Sequence, residues 1–121
     1  MHDAAAIART YVDTWNEPDE ARRRSMLSRH WTEDASYVDP LMRGEGAAQI
    51  SGLVGAVQQR FPGFRFALTG TPNGHGDVVR LSWSLGPAGA EPPIEGSDVV
   101  VLRDGRIRSV IGFIDRAPAA A

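Results

Sequence analysis

Apolar residues step by three and four along the first half of the chain and alternate by two along the second. The pattern therefore predicts helices followed by strands. Ile7, Tyr11, Val12 and Trp15 recur at helical spacing and predict a helix over residues 4–16. Asn16-Glu17-Pro18-Asp19 breaks it, because Pro18 pushes Glu17 out of the helical region. Asp19 can cap a second, shorter helix reaching about Arg29, with a thin apolar side of Ala21, Met26 and Leu27. Trp31 and the capping-type run Thr32-Glu33-Asp34 then precede a short strand, Ala35 to Val38, which ends on Asp39-Pro40. Arg43-Gly44-Glu45-Gly46 opens the clearest helix, Gly46 to about Arg60. Its apolar face is Ala47, Ile50, Val54, Val57 and Phe61, and Pro62-Gly63 stops it.

Four runs rich in β-branched and aromatic residues follow: Phe64 to Thr69, Val78 to Leu85, Ile94 to Leu102 and Ile107 to Ile114. Turn signals separate them at Pro72-Asn73-Gly74, Gly86-Pro87-Ala88-Gly89 and Asp104-Gly105. Residues 117–121 read as a frayed tail. Helices first and hairpin-linked strands after them predict a single α+β domain over residues 1–121, with a curved antiparallel sheet. Period two puts Leu81, Trp83 and Leu85 on one face of their strand and Arg80, Ser82 and Ser84 on the other. It puts Asp98 on the same face as Ile94, Gly96, Val100 and Leu102. A carboxylate in that company is costly unless it is paired or protonated.

Composition narrows the function classes. The 121 residues suffice for one core, and 42% hydrophobic with 23% charged residues is ordinary for a globular protein. A net charge of −2 with no basic stripe argues against a nucleic-acid partner. No apolar run is long enough to span a membrane, and Met1 to Ala8 lacks the pattern of a signal peptide. The chain has no cysteine, which excludes disulfides, thiolate metal sites and a cysteine nucleophile and fits a cytoplasmic location. All 13 basic residues are arginine, so Schiff-base and P-loop chemistry are excluded. Arg22-Arg23-Arg24 reads as a solvated helix face.

Candidate chemistry rests on carboxylates. Asp39 is either a polar residue ending a strand at a turn or a carboxylate at the mouth of a pocket. Asp98 is either one side of an ion pair with Arg80 or Arg106, or a buried carboxyl with a function. Tyr11 reads first as core, with a hydroxyl that needs a partner. Trp15, Trp31 and Trp83 are core or pocket wall. His2, His30 and His75 have no metal-ligand spacing, no metal or other cofactor is expected, and Gly44-Glu45-Gly46 is no phosphate loop. No serine stands in a nucleophile-elbow setting.

Taken together, the order of elements resembles the nuclear transport factor two-like superfamily, over about residues 4–116. Two short helices, a strand ending in Asp-Pro, a long helix closed by Pro-Gly and strands ending in Asp-Gly-Arg-Ile carry the likeness. Its SnoaL-like polyketide cyclase and ketosteroid isomerase branches are the most similar. The resemblance implies a cone-shaped α+β fold, a curved sheet wrapped around the long helix, with a hydrophobic pocket inside. It also implies a homodimer formed through the sheet. Residue by residue, Tyr11-Val12-Asp13-Thr14-Trp15-Asn16 is similar to the isomerases' first-helix run, Asp39-Pro40 to their general base, and Asp98 to their later-strand Asp. The resemblance then makes Asp39 the base, with Tyr11 and a protonated Asp98 as donors to an enolate oxygen; that family is a standard instance of environment-tuned carboxylates. A polyketide- or steroid-like apolar ligand would meet Trp15, Tyr37, Trp83, Val100 and Phe113. The assignment requires Arg80 to face away from Asp98. Epoxide hydrolase chemistry is disfavoured, because Ser82 rather than an Asp stands two residues after Arg80. The alternative is a non-catalytic small-molecule-binding or dimeric interaction module of the same fold.

Overall fold

A computed structural model describes residues 3–118; His2 and residues 119–121 of the expected tail lie outside it. The elements are α1 (Ala4–Asn16), α2 (Glu20–His30), β1 (Trp31–Val38), β2 (Arg43–Glu45), α3 (Gly46–Arg60), β3 (Phe64–His75), β4 (Val78–Pro87), β5 (Ile94–Arg103) and β6 (Arg106–Arg116). The six strands form one sheet in the order β2-β1-β6-β5-β4-β3.

Local chemistry sets the helix starts. Asp3 accepts from the Ala6 amide at 3.1 Å and caps α1. Asp19 accepts from the Ala21 and Arg22 amides at 2.8 and 3.2 Å and caps α2, as its position predicts. The α3 start uses the reverse contact, with the Glu45 amide donating to Gln49 Oε1 at 2.9 Å.

The strands depart from the sequence reading in three places. β1 begins at Trp31, so Thr32-Glu33-Asp34 caps nothing and is the first half of a strand. Tertiary pairing overrides the local signal here, because Trp31 lies opposite Ile107 of β6. The stretch ahead of Gly46 is not helical either. Arg43–Glu45 forms β2, antiparallel to β1, with Tyr37 opposite Gly44. The expected turn at Pro72-Asn73-Gly74 lies inside β3, where Asn73 and Gly74 face Arg80 and Val79. The register slips between Thr69 and Asn73, a bulge that accommodates Pro72 where a ladder N–H is dispensable. The hairpin turns instead at Gly76, with φ +53°.

Other expectations stand. Asp104 and Gly105 turn with φ 54° and 79°, the positive pair that a tight hairpin needs. On β5, Ile94, Gly96, Asp98, Val100 and Leu102 are the buried series, and the residues between them are half-buried. The sheet is mixed rather than wholly antiparallel, because β1 runs parallel to β6. The rest of the chain separates β1 from β6, so no short turn dictates their relative direction.

The core fills the space between the concave sheet face and the helices, with Tyr11, Trp15, Leu27, Trp31, Ile50, Leu81, Val100 and Ile107 all buried. Within the arginine run, Arg22 and Arg24 are exposed but Arg23 is not. Its Nε donates to Ser51 Oγ at 2.9 Å and its Nη1 to the Glu17 carbonyl at 2.8 Å, which ties α2 to α3. One neighbour of three faces inward because successive helix residues are about 100° apart. Among the described residues no helix is long and apolar enough to cross a membrane.

Candidate functional site: a carboxyl pair in an aromatic cavity

Two side-chain amides hold α1 against the rest of the molecule. Asn16 pairs with the Phe66 backbone like an extra ladder residue, donating to its carbonyl at 2.9 Å and accepting from its amide at 2.8 Å. Gln58 of α3 donates to the carbonyls of Trp15 and Glu17, both at 3.0 Å. These contacts fix the helix face that carries Tyr11 and Trp15.

That face borders a cavity of about 830 Å³, within the usual size of a small-molecule site. Trp15, Tyr37, Phe66 and Trp83 supply aromatic wall, and α3 adds Val57 and Arg60. Its polar side chains include Tyr11, Asp39 and Asp98, the three singled out by the sequence.

Asp98 is 3% exposed and Tyr11 2%. The Tyr11 hydroxyl lies 2.5 Å from Asp98 Oδ2, the length of a charge-assisted bond. Trp83 Nε1 donates to the other oxygen, Oδ1, at 3.1 Å. Burial raises the Asp98 pKa to about 6; the bonds from Tyr11 and Trp83 oppose the rise and the charge of Asp39 adds to it. Burial, then the Asp98 charge, raises the Tyr11 pKa well above its ordinary value. Burial and the same carboxyl also raise that of Tyr37.

Neither ion-pair alternative for Asp98 is realised. Arg80 is exposed, opposite Val99 in the ladder and on the far face from Asp98. Arg106 donates instead to the carbonyls of Ser28 and Trp31.

Asp39 turns out to be both things the sequence allowed. Its Oδ1 accepts from the Leu41 and Met42 amides at 2.8 and 2.9 Å, so it builds the turn between β1 and β2. Its Oδ2 faces Tyr37, whose hydroxyl donates at 2.7 Å.

Two glycines permit this crowding. A Cβ on Gly112 would lie 2.9 Å from Asp98 Oδ1, 3.2 Å from Asp39 Cβ and 3.4 Å from the Tyr37 hydroxyl. The bare backbone at Gly112 is thus the floor on which the two carboxyl groups approach each other. A Cβ on Gly96 would fall 2.2 Å from Trp83 Cζ2. Gly96 faces Trp83 across the ladder, so the indole lies flat over it and reaches Asp98.

The eight side chains expected at the site divide. Tyr11, Trp15, Tyr37, Asp39, Trp83 and Asp98 line the cavity. Val100 does not. It is wholly buried, flanked in the sheet by Val79 and Val110 in the closed part of the core. Phe113 borders the cavity but is 53% exposed. On β6 the inward positions beside it are Gly112 and Ile114, and alternation turns its ring to the outer sheet face. The sequence reading missed Met42, Val57, Arg60, Phe61, Phe64 and Phe66 as wall. Val57 and Phe61 were legible as the last steps of the α3 apolar face, and Phe64 and Phe66 as one face of β3. Among the described residues no group of three or more His, Asp or Glu side chains is placed to hold a metal ion.

Residues 8–110 match the family model of the SnoaL-like domain. A proposed isomerase of the SnoaL-like family from Agrobacterium tumefaciens is 48% identical, with 91% of this chain and 95% of that one covered and a TM-score of 0.87. A proposed ketosteroid isomerase from Kribbella flavida shares the fold at 23% identity, covering 98% of this chain and 82% of that one, TM-score 0.70. A proposed polyketide cyclase from Sinorhizobium meliloti shares it at 18% identity, covering 88% and 93%, TM-score 0.69. No curated protein matches the chain at a significant level.

Proposed function

The chain belongs to the SnoaL-like domain family, and from that membership we propose that it is an acid/base enzyme moving a proton next to a ketone on an apolar ring substrate. The observation that carries the reading is the convergence of Asp39 with the Tyr11–Asp98 pair in one aromatic cavity. In this reading the substrate carbonyl oxygen meets the Tyr11 hydroxyl. Asp39 removes the proton from the adjacent carbon and returns it to another carbon of the conjugated system. The negative charge that develops on oxygen is met by a donor already in place, in a site the aromatic walls keep dry.

Asp98 acts through Tyr11 and not on the substrate, because both its oxygens are already bonded. When Asp98 is protonated, it donates to the Tyr11 oxygen and leaves the Tyr11 proton for the substrate. When it ionises, it captures that proton. With the Asp98 pKa at about 6, the rate is expected to fall as pH rises through that value. The test is exchange of the protons flanking the carbonyl of 2-tetralone in heavy water, followed by proton NMR. The reading expects exchange well above the buffer rate, declining on the alkaline side of Asp98 ionisation. Exchange no faster than with buffer alone sinks it.

A polyketide-cyclase-like reading has one specific support, the raised pKa of Asp98, which suits a lone carboxyl shuttling a proton during ring closure. It differs in making Asp39 dispensable.

We also propose that two copies pair through the outer sheet face. Val38, Ile111 and Phe113 are 38%, 43% and 53% exposed, and Val38 is in register with Ile111. Sedimentation velocity is expected to give a dimer, and Phe113→Glu a folded monomer. A wild-type monomer at high protein concentration contradicts the pairing.

A further inference from the structure

Among the described residues, three charged side chains line the aromatic cavity: Asp39, Asp98 and Arg60. The acid/base reading employs the two carboxyl groups and leaves the cation without a task. Arg60 stands in the last turn of α3 and is exposed, whereas Asp98 and Tyr11 are buried. The cavity therefore has an acidic depth and a basic rim.

The ion pairs among the described residues are made by Arg103, Arg108 and Arg116, while Arg23 and Arg106 are bonded to protein oxygens. Among the same residues Arg60 does neither. Its guanidinium lies over the Phe61 ring, 5.6 Å from the centroid. Phe61 is stacked in turn on Phe64, with centroids 5.3 Å apart and planes at 25°. Both rings line the cavity. The contact with the ring face keeps the guanidinium against the wall and does not consume its N–H donors. A cation in the last turn also suits the helix dipole, but that role needs no contact with a cavity wall.

We propose that Arg60 receives an anionic substituent of the ligand, a carboxylate or an equivalent acid group, and so makes the site selective for acidic ring ketones bound with the ketone inward. The inference rests on the acid/base reading above and names its substrate class. An acid group carried toward Asp39 and Asp98 would meet like charge in a poorly screened space. At the rim it meets a planar fork that can donate to both carboxylate oxygens. The two ends of the cavity thus orient the ring: repulsion at one and pairing at the other leave the ketone facing Tyr11.

The probes are 6-hydroxy-2-naphthoic acid and its methyl ester, which share the ring and the hydroxyl and differ by one charge at the far end. Titration calorimetry of the full chain is expected to show the acid bound more tightly than the ester. Added salt is expected to shrink that preference by weakening the acid alone. Arg60→Gln is expected to cut the preference for the acid about tenfold, the worth of a hydrogen-bonded charge, and Arg60→Glu to reverse it. Equal affinity of the wild type for both probes overturns the proposal, and so does an Arg60→Gln variant that weakens both by the same factor. The wild-type comparison and its salt dependence decide even where a variant folds poorly. Binding of the ester but not of the acid overturns this inference alone. No binding of either probe by the wild type overturns it together with the acid/base reading.

Discussion

Asp39→Asn is expected to lower the rate of proton exchange next to the ketone about 10²- to 10⁴-fold, the usual contribution of a positioned general base. The substitution is chosen for what it keeps. An amide oxygen can still accept from the Leu41 and Met42 amides, so the β1–β2 turn survives if Asn places its oxygen where Oδ1 stands. The Tyr37 hydroxyl then meets an NH2 group and loses its acceptor. What disappears is the basic oxygen. On the proposed reading KM is expected to change little, because the cavity walls Trp15, Phe66 and Trp83, and not Asp39, would hold the ring. An Asn variant with wild-type exchange would remove Asp39 from the chemistry and leave the cyclase-like use of Asp98.

Asp98→Asn tests the other carboxyl through stability. Folding raises the Asp98 pKa from the ordinary 3.8 to about 6, so the folded state holds this proton more tightly than the unfolded chain. The stability contributed is therefore complete below the unfolded value. It is lost as pH rises through the folded one, and a shift of that size corresponds to about 3 kcal/mol. Asn does not titrate. The wild type is expected to lose about 3 kcal/mol relative to Asp98→Asn between about pH 4 and about pH 8, read from urea unfolding at each pH. Parallel curves at both pH values would mean that Asp98 is not held in a desolvated site. The same ionisation controls the Tyr11 proton, so stability and exchange rate should turn over in one pH window.

Which features the sequence disclosed follows from the range of the interactions involved. Helix limits were legible because caps and breakers are local: Asp19 starts α2, and Pro62-Gly63 follows α3. The face of Asp98 was legible because a regular strand alternates, and β5 is regular along its buried series. The same rule placed Arg80 outward, the condition on which the Tyr11–Asp98 pair depended. What failed was non-local. Thr32-Glu33-Asp34 resembles a cap but lies inside β1, whose residues on either side, Trp31 and Ser36, pair with Ile107 and Ser109 of β6, far away along the chain. Arg23 is buried because Ser51 and the Glu17 carbonyl lie within its reach, contacts that no helical pattern reports. Val100 was misplaced: it has the correct face but lies outside the cavity lining, whereas Phe113 borders the cavity as expected while about half of it stays exposed. The roles of Gly96 and Gly112 were invisible for another reason. Each matters through the space it leaves for a residue on another strand.

The most direct test of the account is conjugation of a β,γ-unsaturated ketosteroid by the wild-type protein, followed by the rise in enone absorbance. The account predicts turnover above the buffer rate, suppressed by 2-naphthol competing for the Tyr11 hydroxyl. A folded protein that produces no enone above the buffer rate would contradict it.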